Sequence, residues 1–151
     1  PALPQPAPLG AGGEPVELGK GRMLAEGNDA ALVAIGSMVG PAMEASDILG
    51  RKGVEVTVID ARFVRPMDNG LIRSAASDGK PVFTVEENAL AGGFGDAVAR
   101  QLASEGIIAK VSRIGIRDSF VPHGSRDELL VDQGLTAERI AAMVLDSVGG
   151  T

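Results

Sequence analysis

A chain of 151 residues with 44% hydrophobic content can build one domain around one core and is too short for two ordinary ones. Its 14 basic and 20 acidic residues give a formal charge of -6, with no Lys/Arg run to follow a phosphate backbone, so nucleic acid is not an expected partner. The lack of cysteine excludes a disulfide framework, a thiolate nucleophile and a cysteine-ligated metal; the expected compartment is the cytoplasm, and no apolar run approaches the roughly 20 residues that would cross a membrane.

The opening "PALPQPAPLGAGGEP" holds five of the nine prolines and little charge, and residues 1–20 read as an extended linker from a preceding domain. From residue 21 to 151 the expected unit is a single α/β domain, because short β-branched runs alternate with segments of helical period. Met23 to Ala25 is a weak first strand. Ala30 to Ile35, apolar throughout, is the strand expected at the centre of the sheet, buried on both faces. The "EGND" between them is too short for a helical crossover, so the first strand cannot lie parallel beside the second.

Val39, Ala42, Met43 and Leu49 fall on one face of a crossover helix that ends at Gly50. The strand Val54 to Ile59 leads through "DARFVRPMD" to Asp68, the expected N-cap of a helix carrying Leu71, Ile72, Ala75 and Ala76 and stopped by Gly79 and Pro81. "PVFTVE" forms the fourth strand. After the glycine cluster, Ala97, Val98 and Leu102 mark a helix ending near Gly106, and Lys110 to Ile116, the most polar strand, is expected at an edge. Ser125 and Glu128 have capping-box spacing, Thr136 can cap the last helix, Leu135 and Ile140 can form a hydrophobic staple, and Ile140, Met143, Val144 and Val148 make its buried stripe.

The chemistry-bearing candidates gather around "VEENALAGGFG". Glycines there, Gly92 and Gly93 among them, would let the backbone approach an anion at a helix N-terminus, beyond the carboxyl end of a strand. The pattern is neither GxGxxG nor a P-loop, and two adjacent carboxylates would repel a phosphate, so a structural turn is the expected role and a ligand cradle the competing one. Glu86 and Glu87 are neighbours in a strand and point to opposite faces; one is expected inward and hydrogen-bonded, and a structural or interface role outweighs acid/base catalysis. Arg62 and Arg65 could grip an anion, but Arg62 is expected to pair with Asp60 or, preferably, with a neighbouring domain. His123 has no cysteine to activate and no ligand set beside it, and reads as a loop histidine. No catalytic residue, metal ligand or cofactor-binding residue is expected in this chain.

As a set, "DARFVRPMD", "VEENALAGGFG", "GIRDSFVPHGS" and "GLTAERI" resemble the C-terminal domain of transketolase-like thiamine diphosphate enzymes, across Gly19 to Val148. That resemblance implies a three-layer α/β/α domain with a five-stranded mixed sheet whose first strand is antiparallel. Within the family the wording stands nearest the homodimeric enzymes that condense pyruvate with glyceraldehyde 3-phosphate, releasing carbon dioxide and giving deoxyxylulose 5-phosphate for isoprenoid and thiamine synthesis. It implies thiamine diphosphate and Mg2+ as cofactors, bound by the two preceding domains, which are then the partners of this one. The family's Gly-Asp-Gly diphosphate motif is missing here: Gly95-Asp96 is followed by Ala97. Arg117 stands where proline is common in the family and His123 where glutamine is frequent. The corresponding domain of a 2-oxo-acid dehydrogenase β-subunit and a flavodoxin-like small-ligand module remain alternatives.

Overall fold

The computed structural model describes residues 15–117 and 124–149. Five strands, β1 (Arg22–Ala25), β2 (Ala30–Ala34), β3 (Val56–Asp60), β4 (Val82–Ala89) and β5 (Val111–Ile116), alternate with α1 (Val39–Gly50), α2 (Asn69–Ala75) and α3 (Phe94–Ser104), and α4 (Arg126–Gln133) and α5 (Ala137–Val148) follow. The sheet order is β1-β3-β2-β4-β5. β1 runs antiparallel to β3 and every other pair is parallel. The short Glu26–Asp29 connection explains this: it cannot carry a crossover, so β1 passes β2 and pairs with β3 at the sheet's edge. β2 lies at the centre and β5 at the other edge, as the apolar and polar compositions of those runs require.

The pleat divides the core in two. Leu32, Val58 and Phe83 point to one face and pack with Leu49 of α1 and Ile140 and Val144 of α5. Val33 and Ile59 point to the other, where Ile72 of α2 and Phe94, Val98 and Leu102 of α3 cover them. The result is the three-layer α/β/α arrangement. Ile140 is fully buried and its staple partner Leu135 is 1% exposed, so the last helix is fastened at its first turn. Ala137 and Ala141 share its buried face. Ile140→Ala is expected to destabilise the fold by about 3 kcal/mol, the usual range for truncating a buried isoleucine where the site collapses incompletely; a lower denaturant midpoint at unchanged slope would register it.

Two strands depart from the sequence reading. β3 begins at Val56 rather than Val54 and is buried along most of its length. Its Thr57 escapes the cost of a buried hydroxyl because it donates to the Gly27 carbonyl (2.7 Å) and accepts from the Gly27 amide (3.2 Å). β4 continues past Glu86 to Ala89. Its register against β5 shifts between Val85, opposite Ile114, and Ala89, opposite Ile116, so Glu86 and Glu87 sit where the ladder is irregular.

Candidate functional site

From β2 the chain crosses through α1 to β3 on one side, and from β3 it crosses through α2 to β4 on the other, so the crossovers diverge between the carboxyl ends of β2 and β4. That crevice is where open α/β sheets generally hold ligands. Here it is framed by the 3-10 turn Gly36–Met38 after β2 and by Glu86 and Glu87 on β4.

Glu86 points inward and is fully buried. Its two carboxyl oxygens accept from the amides of Phe94 (2.6 Å) and Gly95 (2.7 Å), the first two residues of α3. These are donors that a helix leaves without internal partners, and the positive end of the helix dipole lies at the same point. The amides that a ligand cradle, the competing reading, would offer an anion are thus taken by the chain's own side chain. The glycines make room for it. A Cβ on Gly93 would collide with the Ala89 carbonyl oxygen and with Glu86 Oε2, and one on Gly95 would stand 2.5 Å from Thr84 Oγ1 and 2.8 Å from Arg113 Cγ. Gly92, by contrast, has open space around it and is required by its φ of 72°. Its amide donates to Asp96 Oδ2 (2.6 Å), and Asp96 is ion-paired with Arg113. The Gly92 amide, aided by Arg113 and Arg100 and opposed by desolvation, holds the Asp96 carboxyl below its ordinary range.

Glu87 points the other way, as strand alternation requires. Ser37 donates its hydroxyl to Glu87 Oε2 at 2.5 Å, and Arg126 at the start of α4 donates Nε to Oε1 (2.9 Å) and Nη2 to Oε2, a two-pronged ion pair. The pair ties α4 across the crevice above an apolar cavity of about 310 Å³ lined by Ile116, Leu129, Leu130 and Leu135. A serine beside a carboxylate has the outline of a nucleophile and its base. The electrostatics oppose that use: the Arg126 hydrogen bond first, and the Ser37 hydroxyl second, push the Glu87 carboxyl below its ordinary value, which makes it a weaker base.

A carboxyl whose value is lowered by folding adds stability that is fully present above its unfolded value, ordinarily 4.5, and that is lost as the pH falls through the folded value. The denaturant midpoint of the native protein should thus fall more steeply between that pH and the lower folded value than the midpoint of Glu87→Gln. Parallel profiles for the two proteins would contradict this assignment.

The remaining candidates do not join this site. Arg62 follows the carboxyl end of β3, on the side of β2 away from β4, with φ 56°, a left-handed conformation uncommon for arginine. Its amide donates to Asp60 Oδ1 (3.0 Å) and its Nε is 3.7 Å from Asp60 Oδ2. Asp68 caps α2 through the Leu71 amide (3.1 Å), and the Ser125–Glu128 capping box is formed in full. His123 lies outside the described residues. Sequence reading missed Ser37 and Arg126, which reach Glu87 from positions 50 and 39 residues away along the chain and carry no local motif.

Thiamine diphosphate and Mg2+, the cofactors implied by the resemblance, do not fit the described residues. The helix N-terminus at the crevice already faces a buried carboxyl group, which would repel a diphosphate. Among the described residues, no group of three or more His, Asp or Glu side chains is placed to hold a metal ion. No helix among them is long and apolar enough to cross a membrane.

The family model described as transketolase, C-terminal domain, matches residues 19–140. The chain is 45% identical over 136 residues to 1-deoxy-D-xylulose-5-phosphate synthase of Trichormus variabilis, covering 90% of this chain and 21% of that protein. With the enzyme of the same name from Heliobacterium modesticaldum it shares 48% identity over 126 residues, covering 83% of this chain and 20% of the relative. It thus spans about a fifth of the length of the curated relatives it matches. Among solved structures, a split-gene transketolase described as an inactive β4 tetramer superposes with a TM-score of 0.82 at 35% identity, covering 89% of this chain and 44% of that one. A transketolase variant from Pichia stipitis, at 21% identity and a TM-score of 0.63, covers 85% of this chain and 18% of its own and shares the fold. On the family match over residues 19–140, and with the fold and its antiparallel first strand in agreement, the chain belongs to the transketolase C-terminal domain family.

Proposed function

We propose that this chain serves as the C-terminal domain of a deoxyxylulose-5-phosphate synthase, a homodimeric enzyme that condenses pyruvate with glyceraldehyde 3-phosphate, releases carbon dioxide and forms deoxyxylulose 5-phosphate for isoprenoid and thiamine synthesis. The observation that carries this reading is the identity of 45% and 48% to enzymes of that name across 90% and 83% of the chain. Thiamine diphosphate and Mg2+ are held by parts of that enzyme outside this chain, and this domain alone turns over no substrate. Supporting this division, both carboxyl groups at the crevice are committed to internal partners, Glu86 to α3 and Glu87 to Ser37 and Arg126.

The domain's own task is to hold its neighbours. Arg62 faces the preceding domain, with residues 1–20 as the connection to it. In favour of this, the left-handed backbone of Arg62 is fixed by Asp60, and its side chain stands with Arg22 beside Pro15 and Val16 in a polar recess of about 510 Å³. Strained backbone held in place by its surroundings is characteristic of contact and switch positions.

The complete polypeptide containing this domain, purified and supplied with thiamine diphosphate and Mg2+, is expected to release carbon dioxide from pyruvate in a reaction dependent on glyceraldehyde 3-phosphate. Transfer of an acetyl group to a lipoyl acceptor, with no dependence on the aldehyde, would instead identify a 2-oxo-acid dehydrogenase component and overturn the proposal.

A further inference from the structure

Beside the edge strand β5, where it faces the turn between α4 and α5, lies a second cavity of about 290 Å³. Three arginines line it: Arg113 of β5, Arg117 just beyond that strand, and Arg139 in the first turn of α5. Leu90, Ile114 and Met143 give it an apolar floor.

Each arginine is placed by a separate constraint. Arg113 is ion-paired with Asp96, which is itself held by the Gly92 amide. The backbone of Arg117 is fixed where its amide donates to Gln133 Oε1 (3.3 Å). The amide of Arg139 donates to its helix cap, Thr136 Oγ1 (3.4 Å), and its stem passes over Gly134, whose φ of 72° closes α4 and whose Cβ, if present, would stand 3.2 Å from Arg139 Cγ. The turn that ends α4 and starts α5 therefore delivers Arg139 to the same opening that β5 lines.

The charge is unbalanced. Among the described residues, Arg113 has a carboxylate within salt-bridge distance, whereas neither Arg117 nor Arg139 has one. Three arginines around one opening, two of them without a carboxylate at salt-bridge distance among the described residues, offer donors that an anion would take up. Guanidinium groups match phosphate oxygens in forked pairs, and the floor suits carbon rather than water. The volume is near the lower end for small-molecule pockets.

We infer that this cavity binds a phosphate monoester with a short carbon body, its phosphate held by Arg113, Arg117 and Arg139 and its body laid on Leu90 and Met143. The inference stands apart from the proposed enzyme reaction and is tested by binding alone.

The probes are glycerol phosphate and inorganic phosphate, titrated at low ionic strength into the 15N-labelled 151-residue chain. Saturable shifts of the Gly115 and Gly134 amides are expected, with glycerol phosphate the tighter of the two because only it covers the apolar floor. The double variant Arg117→Ser/Arg139→Ser should bind about tenfold or more weakly, since two forked, charge-assisted contacts are lost. Arg117→Lys keeps the charge and the fold and should still weaken binding several-fold, because a lysine cannot form the fork. Shifts that never saturate, or that KCl reproduces at matched ionic strength, would overturn the inference. So would equal affinity in the native protein and Arg117→Lys, or a short acidic peptide that binds the same amides more tightly than glycerol phosphate and so assigns the arginines to a protein partner.

Discussion

Replacing Glu86 with alanine is expected to destabilise the domain by about 3–4 kcal/mol, a large share of the roughly 5–15 kcal/mol that holds a domain folded. The side chain is fully buried, and its two oxygens are the acceptors for the Phe94 and Gly95 amides. Removing it leaves two buried donors unpaired at about 1–3 kcal/mol each. Glutamine is a poor substitute in spite of its shape. Its amide offers one acceptor oxygen and one donor nitrogen to a pair of donors, so one amide of α3 would face another N–H whichever way the group is turned. Glu86→Gln should therefore lose about 2 kcal/mol, between native and alanine. Chemical denaturation of the three proteins would measure the order. A Glu86→Ala midpoint equal to the native one would show that the carboxyl group is not the cap described.

The second expectation sets two adjacent glycines against each other. Gly93→Ala should destabilise the domain by about 2–3 kcal/mol, because its methyl group would press on the Ala89 carbonyl oxygen and on Glu86 Oε2, which cannot retreat without releasing the Phe94 amide. Gly92→Ala should cost about 1 kcal/mol. Nothing lies within 4 Å of the added carbon, and the penalty is that of an L-residue at φ 72°. A ligand cradle predicts a different pattern: both substitutions would weaken binding of an anion and leave stability nearly untouched. Thermal midpoints of the two variants separate the readings.

What could be read in the residues was whatever depends on short-range periodicity and sterics. The "EGND" connection forced an antiparallel or distant first strand, the unbroken apolar run put β2 at the centre, and the polar β5 went to an edge. The capping box and the staple were legible because their partners are three and five residues apart. The opposite orientation of Glu86 and Glu87 followed from the period of a strand. What the sequence concealed depends on chain segments far apart. The bulge that carries β4 on to Ala89 arises from pairing with β5 and has no signature within β4 itself. Ser37 and Arg126 meet at Glu87 only because the carboxyl ends of β2 and β4 lie side by side and α4 folds back across them. Likewise, a chain without any basic run assembles Arg113, Arg117 and Arg139 around one cavity through the α4–α5 turn.

The glycine segment after β4 thus has the composition of an anion site and the wiring of a joint. Strand β4 supplies an internal carboxyl group, the glycines let it come close, and α3 starts on it. Such a joint fixes the first turn of α3 against the end of β4. The most direct measurement follows the Phe94 and Gly95 amide resonances of the native chain while thiamine diphosphate and Mg2+ are added. Both signals should stay in place and both protons should exchange slowly with solvent, because Glu86 already occupies the position a diphosphate would need. Saturable shifts at those two amides, or rapid exchange of their protons in the native protein, would contradict the account.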